Sequence, residues 1–352
     1  MPTSVQQRVK LSPLRVLLLG SLLLVGGCSG GAVAQSGSPP DWFVNPNQAY
    51  DEAQYLLATA SGPSAQAAQN RAFGNLARRF SAEIQASKEL LDEYREVKKD
   101  GEVTSAQQKT VMITKSDVQS DQTLLNAEVL EQAKAGSKYY ALVGMERQET
   151  LRIYAQRIKG NQEKIKDYRA TARNTERPII RLAALQKALV LAEANERLQR
   201  QRAIVAGGSG SATSSLRPEL EKAVRKAQSK CPVAVQGDVP SSLRSQVGAT
   251  LETNGFRTVD QPENAILKAT VKYKEHPTLT GRDDAHFFRW TLAIKLTDTA
   301  RNQTLETFTA EQRAGAPSKA GAKRRARNGA RTTIEDEFSN FLKQTLLRIN
   351  PS

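Results

Sequence analysis

Cysteine, histidine and aromatic side chains are scarce in this sequence. Its 352 residues include two cysteines, two histidines and two tryptophans, and aromatic side chains make up 5%. No phosphate loop or dinucleotide-binding glycine motif occurs. Charged residues make up 25%, which favours several small, well-solvated and helix-rich modules over a single large core.

The few residues that could support chemistry do not form a recognisable site. Asp283, Asp284 and His286 resemble metal ligands, but the motif supplies no fourth ligand, and a solvated loop explains it better. Glu128 and Glu131 would face opposite sides of a strand, which makes them poor partners for glycoside hydrolysis. The sequence therefore predicts no catalytic residue, no metal, no cofactor and a protein that is not an enzyme.

The first 28 residues have the features of a secretory leader. A basic start precedes the apolar run Val16 to Val25, which is too short to span a bilayer, because spanning takes roughly 20 residues. The run ends in Val25-Gly26-Gly27-Cys28, which resembles the lipobox of bacterial lipoprotein signal peptides. We predict a signal peptide over residues 1–27 and lipid attachment at Cys28. The alternatives are an ordinary signal peptide, or a buried helix, with a chance cysteine.

The lipobox resemblance has consequences for the mature protein. It implies a diacylglyceryl group on the Cys28 sulfur and an acyl chain such as palmitate on its amino group. Ser29 follows, where aspartate would favour retention in the inner membrane, so the outer membrane is expected, with the protein on its periplasmic side. Residues 28–40 read as a flexible tether that reaches roughly 20 Å. Once Cys28 is lipidated, no disulfide can form within the chain, and Cys231 is expected to pack as a small residue at the start of a strand.

Residues 41–147 combine strands with an alanine-rich helix. A strand is predicted from Tyr55 to Ala60, a helix from about Ser64, and a final strand pair around a turn at Gly136. The segments Pro40-Asp41-Trp42, Ser64-Ala65-Gln66-Ala67-Ala68 and Lys138-Tyr139-Tyr140-Ala141-Leu142-Val143 resemble the Lpp-twenty outer-membrane lipoprotein family and the related N-terminal domain of the flagellar assembly protein FlgT. This resemblance implies an α+β domain without catalytic residues.

Residues 148–206 have the spacing of two helices. Apolar residues alternate at intervals of three and four, with Asn161 as one polar position, and Pro178 suits the start of the second helix. An antiparallel hairpin is the simplest arrangement, and a dimerising coiled coil whose register is set by Asn161 is the alternative. Residues 207–230 read as a glycine-rich linker followed by a short helix.

Residues 231–352 predict a C-terminal α+β domain with the order β-α-β-β-β-α. Leu292, Ile294 and Leu296 alternate with polar residues, as in a half-buried strand, and a long helix begins at Ser318. His276 before Pro277 is expected to mark a strand end. The order of elements resembles the envelope domains of TolB and of the cell-wall synthase activator LpoB.

Positive charge is concentrated at the start of this last helix. The whole chain carries +15, of which the leader holds three positive charges. Six basic residues open the helix, where the helix dipole disfavours each cation by about 0.3–1 kcal/mol. They predict a dock for anionic polymer, such as lipopolysaccharide or cell-wall material, and a solvated helix face is the alternative. The six residues are Lys319, Lys323, Arg324, Arg325, Arg327 and Arg331.

These features together predict an α+β, multi-domain lipoprotein of the outer membrane that acts by binding. Export excludes nucleic acid as a partner, and a protein partner in the envelope is expected. The predicted role is that of a scaffold or regulator of an envelope assembly, either the flagellar base or the cell-wall synthesis machinery. The alternative is a cell-wall-modifying enzyme.

Overall fold

The computed structural model describes residues 37–80, 110–112, 123–208, 216–278 and 285–350. The predicted signal peptide, Cys28 and most of the tether lie outside these residues, as do Asp283 and Asp284. Helices and strands are both abundant in the described chain, which confirms the predicted α+β class. The predicted division into domains stays a prediction.

The N-terminal module, residues 37–146, contains an antiparallel sheet in the order β1-β5-β4 with a helix packed across it. Ser64 caps that helix, because its side chain accepts a hydrogen bond of 3.2 Å from the backbone N–H of Ala67. The predicted turn residue Gly136 has φ 59°. The elements are α1 (Asp41–Val44), α2 (Pro46–Ala49), β1 (Tyr55–Gly62), α3 (Ala65–Arg78), β2 (Thr110–Met112), β3 (Thr123–Leu125), β4 (Ala127–Ala135) and β5 (Lys138–Glu146).

Two long helices form an antiparallel hairpin. The first, α4 (Arg147–Asn174), begins directly after β5, and α5 (Pro178–Val205) packs back along it. Two contacts fix the direction. The Arg181 side chain donates to the carbonyl of Ala172 near the turn, and Asn195 donates to the carbonyl of Ile158 farther along.

The C-terminal module, residues 217–350, is a five-stranded sheet covered on one face by helices. Its strand order is β10-β9-β8-β6-β7, with β6 parallel to β7 and β8 and the remaining pairs antiparallel. Ser318, where the sequence predicts the start of the last helix, caps that helix by accepting a hydrogen bond of 3.1 Å from the backbone N–H of Gly321. The elements are α6 (Arg217–Ser229), β6 (Val233–Gln236), α7 (Ser241–Thr253), β7 (Thr258–Val259), β8 (Leu267–Thr278), β9 (His286–Asp298), β10 (Gln303–Ala316) and α8 (Lys319–Arg348).

The hairpin contributes to the hydrophobic cores of both modules. Leu182 and Leu191 of α5 are fully buried in the same core as Trp290 and Phe338 of the C-terminal module. At its other end, Val205 packs with the core of the N-terminal module, together with the start of α4. One helix therefore links two cores, each built on its own sheet.

Two features of the C-terminal module differ from the sequence expectation. The short strand β7 was not predicted. In addition, β8 continues through His276 and Pro277 to Thr278, so the predicted strand end was wrong. Proline is tolerated there because β6 pairs only with Leu267–Thr270, which leaves one edge of the distal half of β8 unpaired within the described sheet.

Candidate anion-binding surface

One face of the C-terminal sheet carries exposed basic side chains. Along β9, Phe288, Trp290 and Leu292 are buried under the helices, whereas Arg289 and Lys295 point to the other face and are exposed. This follows from the period of two in a strand, which sends alternate side chains to opposite faces. The described residues leave this outer face open to solvent.

The outer face has a groove of about 450 Å³ with a floor of small residues. Cross-strand neighbours place Thr291 between Lys274 and Glu311 in one row. In the next row, Ala293 lies between Lys272 and Thr309. Long side chains on β8 therefore border a shallow floor along β9, as suits contact with an extended or branched polar ligand.

The distal end of the groove is also basic. His276, Arg289 and Arg313 are neighbours in one row across the three strands. Arg313 stacks over the Phe287 ring at 4.2 Å, and Arg289 pairs with Glu311 at 3.2 Å with both partners more than half exposed. Exposed pairs of this kind are weak, so these guanidinium groups stay available to an incoming anion.

The six basic residues predicted on α8 lie at this same end of the sheet, but they do not share one environment. Lys323 and Arg327 point to Glu275 of β8, at 3.5 Å and 3.2 Å. Arg325 donates to the carbonyl oxygen of Gly315 at 2.6 Å. The side chains of the remaining three are exposed and form no hydrogen bond or ion pair with the described part of the chain. They are Lys319, Arg324 and Arg331.

Glu275 is the acidic residue that holds the start of α8 to the sheet. Its side chain is 15% exposed and accepts a hydrogen bond from Tyr273 in addition to its two basic partners. Burial, followed by the nearby Glu275 carboxylate, raises the pKa of Tyr273 well above its usual range. Tyr273 therefore stays neutral and donates its proton, and Lys323 and Arg327 are partly structural.

The two surfaces together form what we call the basic tip, residues 271–278, 286–293 and 309–331. These residues include ten lysine and arginine side chains but only two carboxylates, Glu275 and Glu311, and both carboxylates are already paired. A large share of the positive charge of the whole chain therefore lies at one end of one sheet.

The helical part of the basic tip is predictable from the sequence, whereas the sheet part was not predicted. Lys272 and Lys274 alternate with Val271 and Tyr273, and this period of two was a usable signal. Their proximity to the start of α8 had no such signal, because the hydrogen bond between Arg327 and Glu275 spans 52 residues of sequence.

The other predicted sites can be located as follows. Cys28 lies outside the described residues. Cys231 precedes β6 as expected and is fully buried, and burial raises the pKa of its thiol to about 12. Within the described ranges there is no group of three His, Cys, Asp or Glu side chains that could hold a metal ion. No helix of the described chain is long and apolar enough to cross a bilayer.

Comparison with known proteins gave structural neighbours only. The sequence matches no protein-family model, and no curated protein is significantly similar to it. A minor lipoprotein from Acinetobacter baumannii is 16% identical, with a TM-score of 0.22 over 33% of this chain and 87% of that one. The secreted protein HP1454 from Helicobacter pylori is 12% identical, with a TM-score of 0.37 over 80% of this chain and 97% of that one.

A third neighbour is lipoprotein B from Nitrosomonas europaea, which is 16% identical with a TM-score of 0.22 over 34% of this chain and 80% of that one. With TM-scores below 0.5, these likenesses support neither a specific family nor a role. The resemblances to Lpp-twenty, FlgT, TolB and LpoB therefore stay predictions.

Proposed function

We propose that this protein is an outer-membrane lipoprotein that acts by binding, and that its basic tip docks on anionic polymer of the envelope. The observation that carries the proposal is the concentration of ten cationic side chains against two carboxylates at the end of the C-terminal sheet. Bound to the polymer, the protein would serve as a scaffold or regulator of an envelope assembly, at the flagellar base or in cell-wall synthesis.

The distribution of the cations favours a polymer over a small anion. Lys272, Lys274 and Arg289 lie on the outer face of the sheet, whereas Arg324 and Arg331 lie on the helix that covers the other face. A small anion would contact one of these faces, while a chain or surface with repeated charges contacts both. Lipopolysaccharide phosphates and cell-wall carboxylates are repeated charges of this kind, and a cationic surface raises its association with them.

Removal of exposed cations tests the docking surface. We expect the triple variant Lys274→Gln, Arg324→Gln, Arg331→Gln to fold normally. A surface substitution usually changes the free energy of unfolding by no more than about 0.5 kcal/mol. Its affinity for lipopolysaccharide or purified cell-wall sacculi should fall on the order of 100-fold at low salt, because each basic residue near an anionic surface contributes about 1 kcal/mol. Co-sedimentation over a salt series measures the change, and added salt should also weaken wild-type binding.

A matched control separates a docking surface from bulk charge. Lys159, Lys166 and Arg173 are exposed on α4, and replacing all three with Gln removes the same charge away from the basic tip. This control should bind as wild type does. If both triple variants lost the same affinity, net charge alone would explain the binding, and this result would contradict the proposed surface.

The lipid anchor needs its own test. Cys28→Ala should block lipidation, because the thiol is the group that accepts the diacylglyceryl chain. Radiolabelled palmitate should mark the wild-type protein only, and wild type should fractionate with the outer membrane. Equal labelling of the variant would contradict the lipoprotein proposal without bearing on the basic tip.

The proposal includes the absence of enzymatic activity. Zymography of the purified mature protein on cell-wall substrate addresses this point directly. We expect no clearing zone. A clearing zone would favour the alternative of a cell-wall-modifying enzyme.

A further inference from the structure

A second pocket lies at the opposite end of the C-terminal sheet, where the turn of the hairpin meets the turn between β9 and β10. Its volume is about 360 Å³, within the range of small-molecule sites. Three arginines line it, one from each of three segments. Arg177 comes from the hairpin turn, Arg301 from the β9–β10 turn and Arg348 from the end of α8.

The ion pairs around this pocket leave it with an excess of positive charge. Arg177 pairs with the buried carboxylate of Asp298 at 2.7 Å, and Arg348 pairs with Glu306 at 3.1 Å. Arg301 is exposed and forms no ion pair with any described residue. None of the residues that line the pocket is acidic. The described side chains therefore leave one positive charge for a ligand to balance.

The rest of the pocket is partly apolar. Ile179 is buried in its wall, and Leu305 and Ile349 are half-buried beside it. A fully hydrated ion such as sulfate would leave these side chains without a partner. A ligand with one anionic head and an aliphatic body would contact both the guanidinium groups and the apolar wall. Among anionic heads, a carboxylate matches the planar, two-pronged geometry of a guanidinium group.

We propose that this pocket binds an aliphatic carboxylate. Arg301 contacts the carboxylate, and the alkyl part packs against Ile179, Leu305 and Ile349. Because Ile179 belongs to the hairpin while Arg301 and Leu305 belong to the C-terminal module, the ligand contacts both and stabilises their association. This site is separate from the basic tip, since about 30 Å of strand β9 lies between Arg289 and Asp298.

Isothermal titration calorimetry with octanoate tests the site on the full mature chain. We expect saturable binding of octanoate, at least tenfold weaker binding of acetate, which lacks the alkyl part, and at least tenfold weaker binding of octanol, which lacks the charge. Arg301→Gln lies in an exposed turn and should fold as wild type, yet bind octanoate at least tenfold more weakly. At the same octanoate concentration, the midpoint of thermal unfolding should rise in wild type and rise less in this variant.

Arg289→Gln provides the control, because it removes an exposed arginine at the basic tip and leaves the pocket intact. It should bind octanoate as wild type does. Octanol binding as tight as octanoate binding, or an unchanged affinity in Arg301→Gln, would overturn the proposal. Neither outcome bears on polymer docking at the basic tip, so the two proposals fail independently.

Discussion

Among single residues, Gly237 has the closest backbone neighbour of any glycine in the described part of the C-terminal module. Its φ is +139°, and a Cβ atom built there would lie 2.1 Å from the carbonyl oxygen of Val271. Gly237→Ala must therefore displace the backbone of β8 and strain its own, and we expect a loss of at least about 2 kcal/mol in the free energy of unfolding. Urea denaturation followed by circular dichroism measures it.

Gly160 is the matched control for this substitution. It lies within α4, where an added Cβ meets nothing within 4 Å. Gly160→Ala should raise stability by up to about 1 kcal/mol, because alanine favours a helix interior over glycine. If the two alanine variants had similar stability, close backbone packing at Gly237 would not be the cause of its constraint.

Cys231 should make stability depend on pH in the alkaline range. Burial raises the pKa of its thiol from 9.0 to about 12, so the unfolded chain releases this proton at lower pH than the folded one. The stabilising effect is complete below pH 9 and is lost as pH rises toward 12. Between these values, wild type should lose about 1.4 kcal/mol per pH unit more than Cys231→Ala does. If the free energy of unfolding changed with pH in the same way in both proteins, the thiol would not be shielded from solvent.

At the scale of elements, the hairpin is held by a buried polar pair. The Asn161 side chain donates to the Asn195 side chain at 2.7 Å, and Asn195 donates to the backbone carbonyl of Ile158 at 3.2 Å. Asn195→Leu removes both bonds and should cost about 1–3 kcal/mol, because buried polar groups lose their partners. The double variant Asn161→Leu, Asn195→Leu should cost less than the sum of the single variants. A double-mutant cycle by urea denaturation measures the coupling between the two side chains. Strictly additive losses in the free energy of unfolding would contradict a direct coupling.

The same scale shows what local sequence patterns can predict. Ala322, Ala326 and Ala330 recur every four residues, a spacing that predicts a helix, and all three are fully buried because a helix repeats its face every three to four residues. The alternation of apolar and polar residues in β9 predicted which face of the strand is buried, because successive side chains of a strand point to opposite faces. The extension of β8 past Pro277 depends on which strand edge lacks a neighbour, and this is a property of the assembled sheet. The contact of Glu275 with α8 likewise depends on chain topology.

At the scale of the whole molecule, the two cores should unfold together. The helix α5 buries Leu182 in the C-terminal core and Val205 in the N-terminal core. Each module also has one tryptophan, Trp42 or Trp290, as a natural reporter. In single-tryptophan variants, we expect the two denaturation curves to coincide. Leu182→Ala should shift both curves by about 2–5 kcal/mol, because it leaves a cavity in the C-terminal core. A shift confined to the Trp290 curve would mean that the modules unfold independently.

The junction between β5 and α4 has a mechanical consequence. No residue separates the strand from the helix, and Arg147 ties the junction down, since its backbone N–H donates to the carbonyl of Gln54 and its side chain donates to that of Glu52. The 28 residues of α4 extend about 42 Å. The hairpin therefore has no flexible linker where it joins the N-terminal sheet. A tilt of about 5° of the N-terminal sheet would therefore displace the far end of α4 by roughly 4 Å, and the C-terminal sheet would move with it.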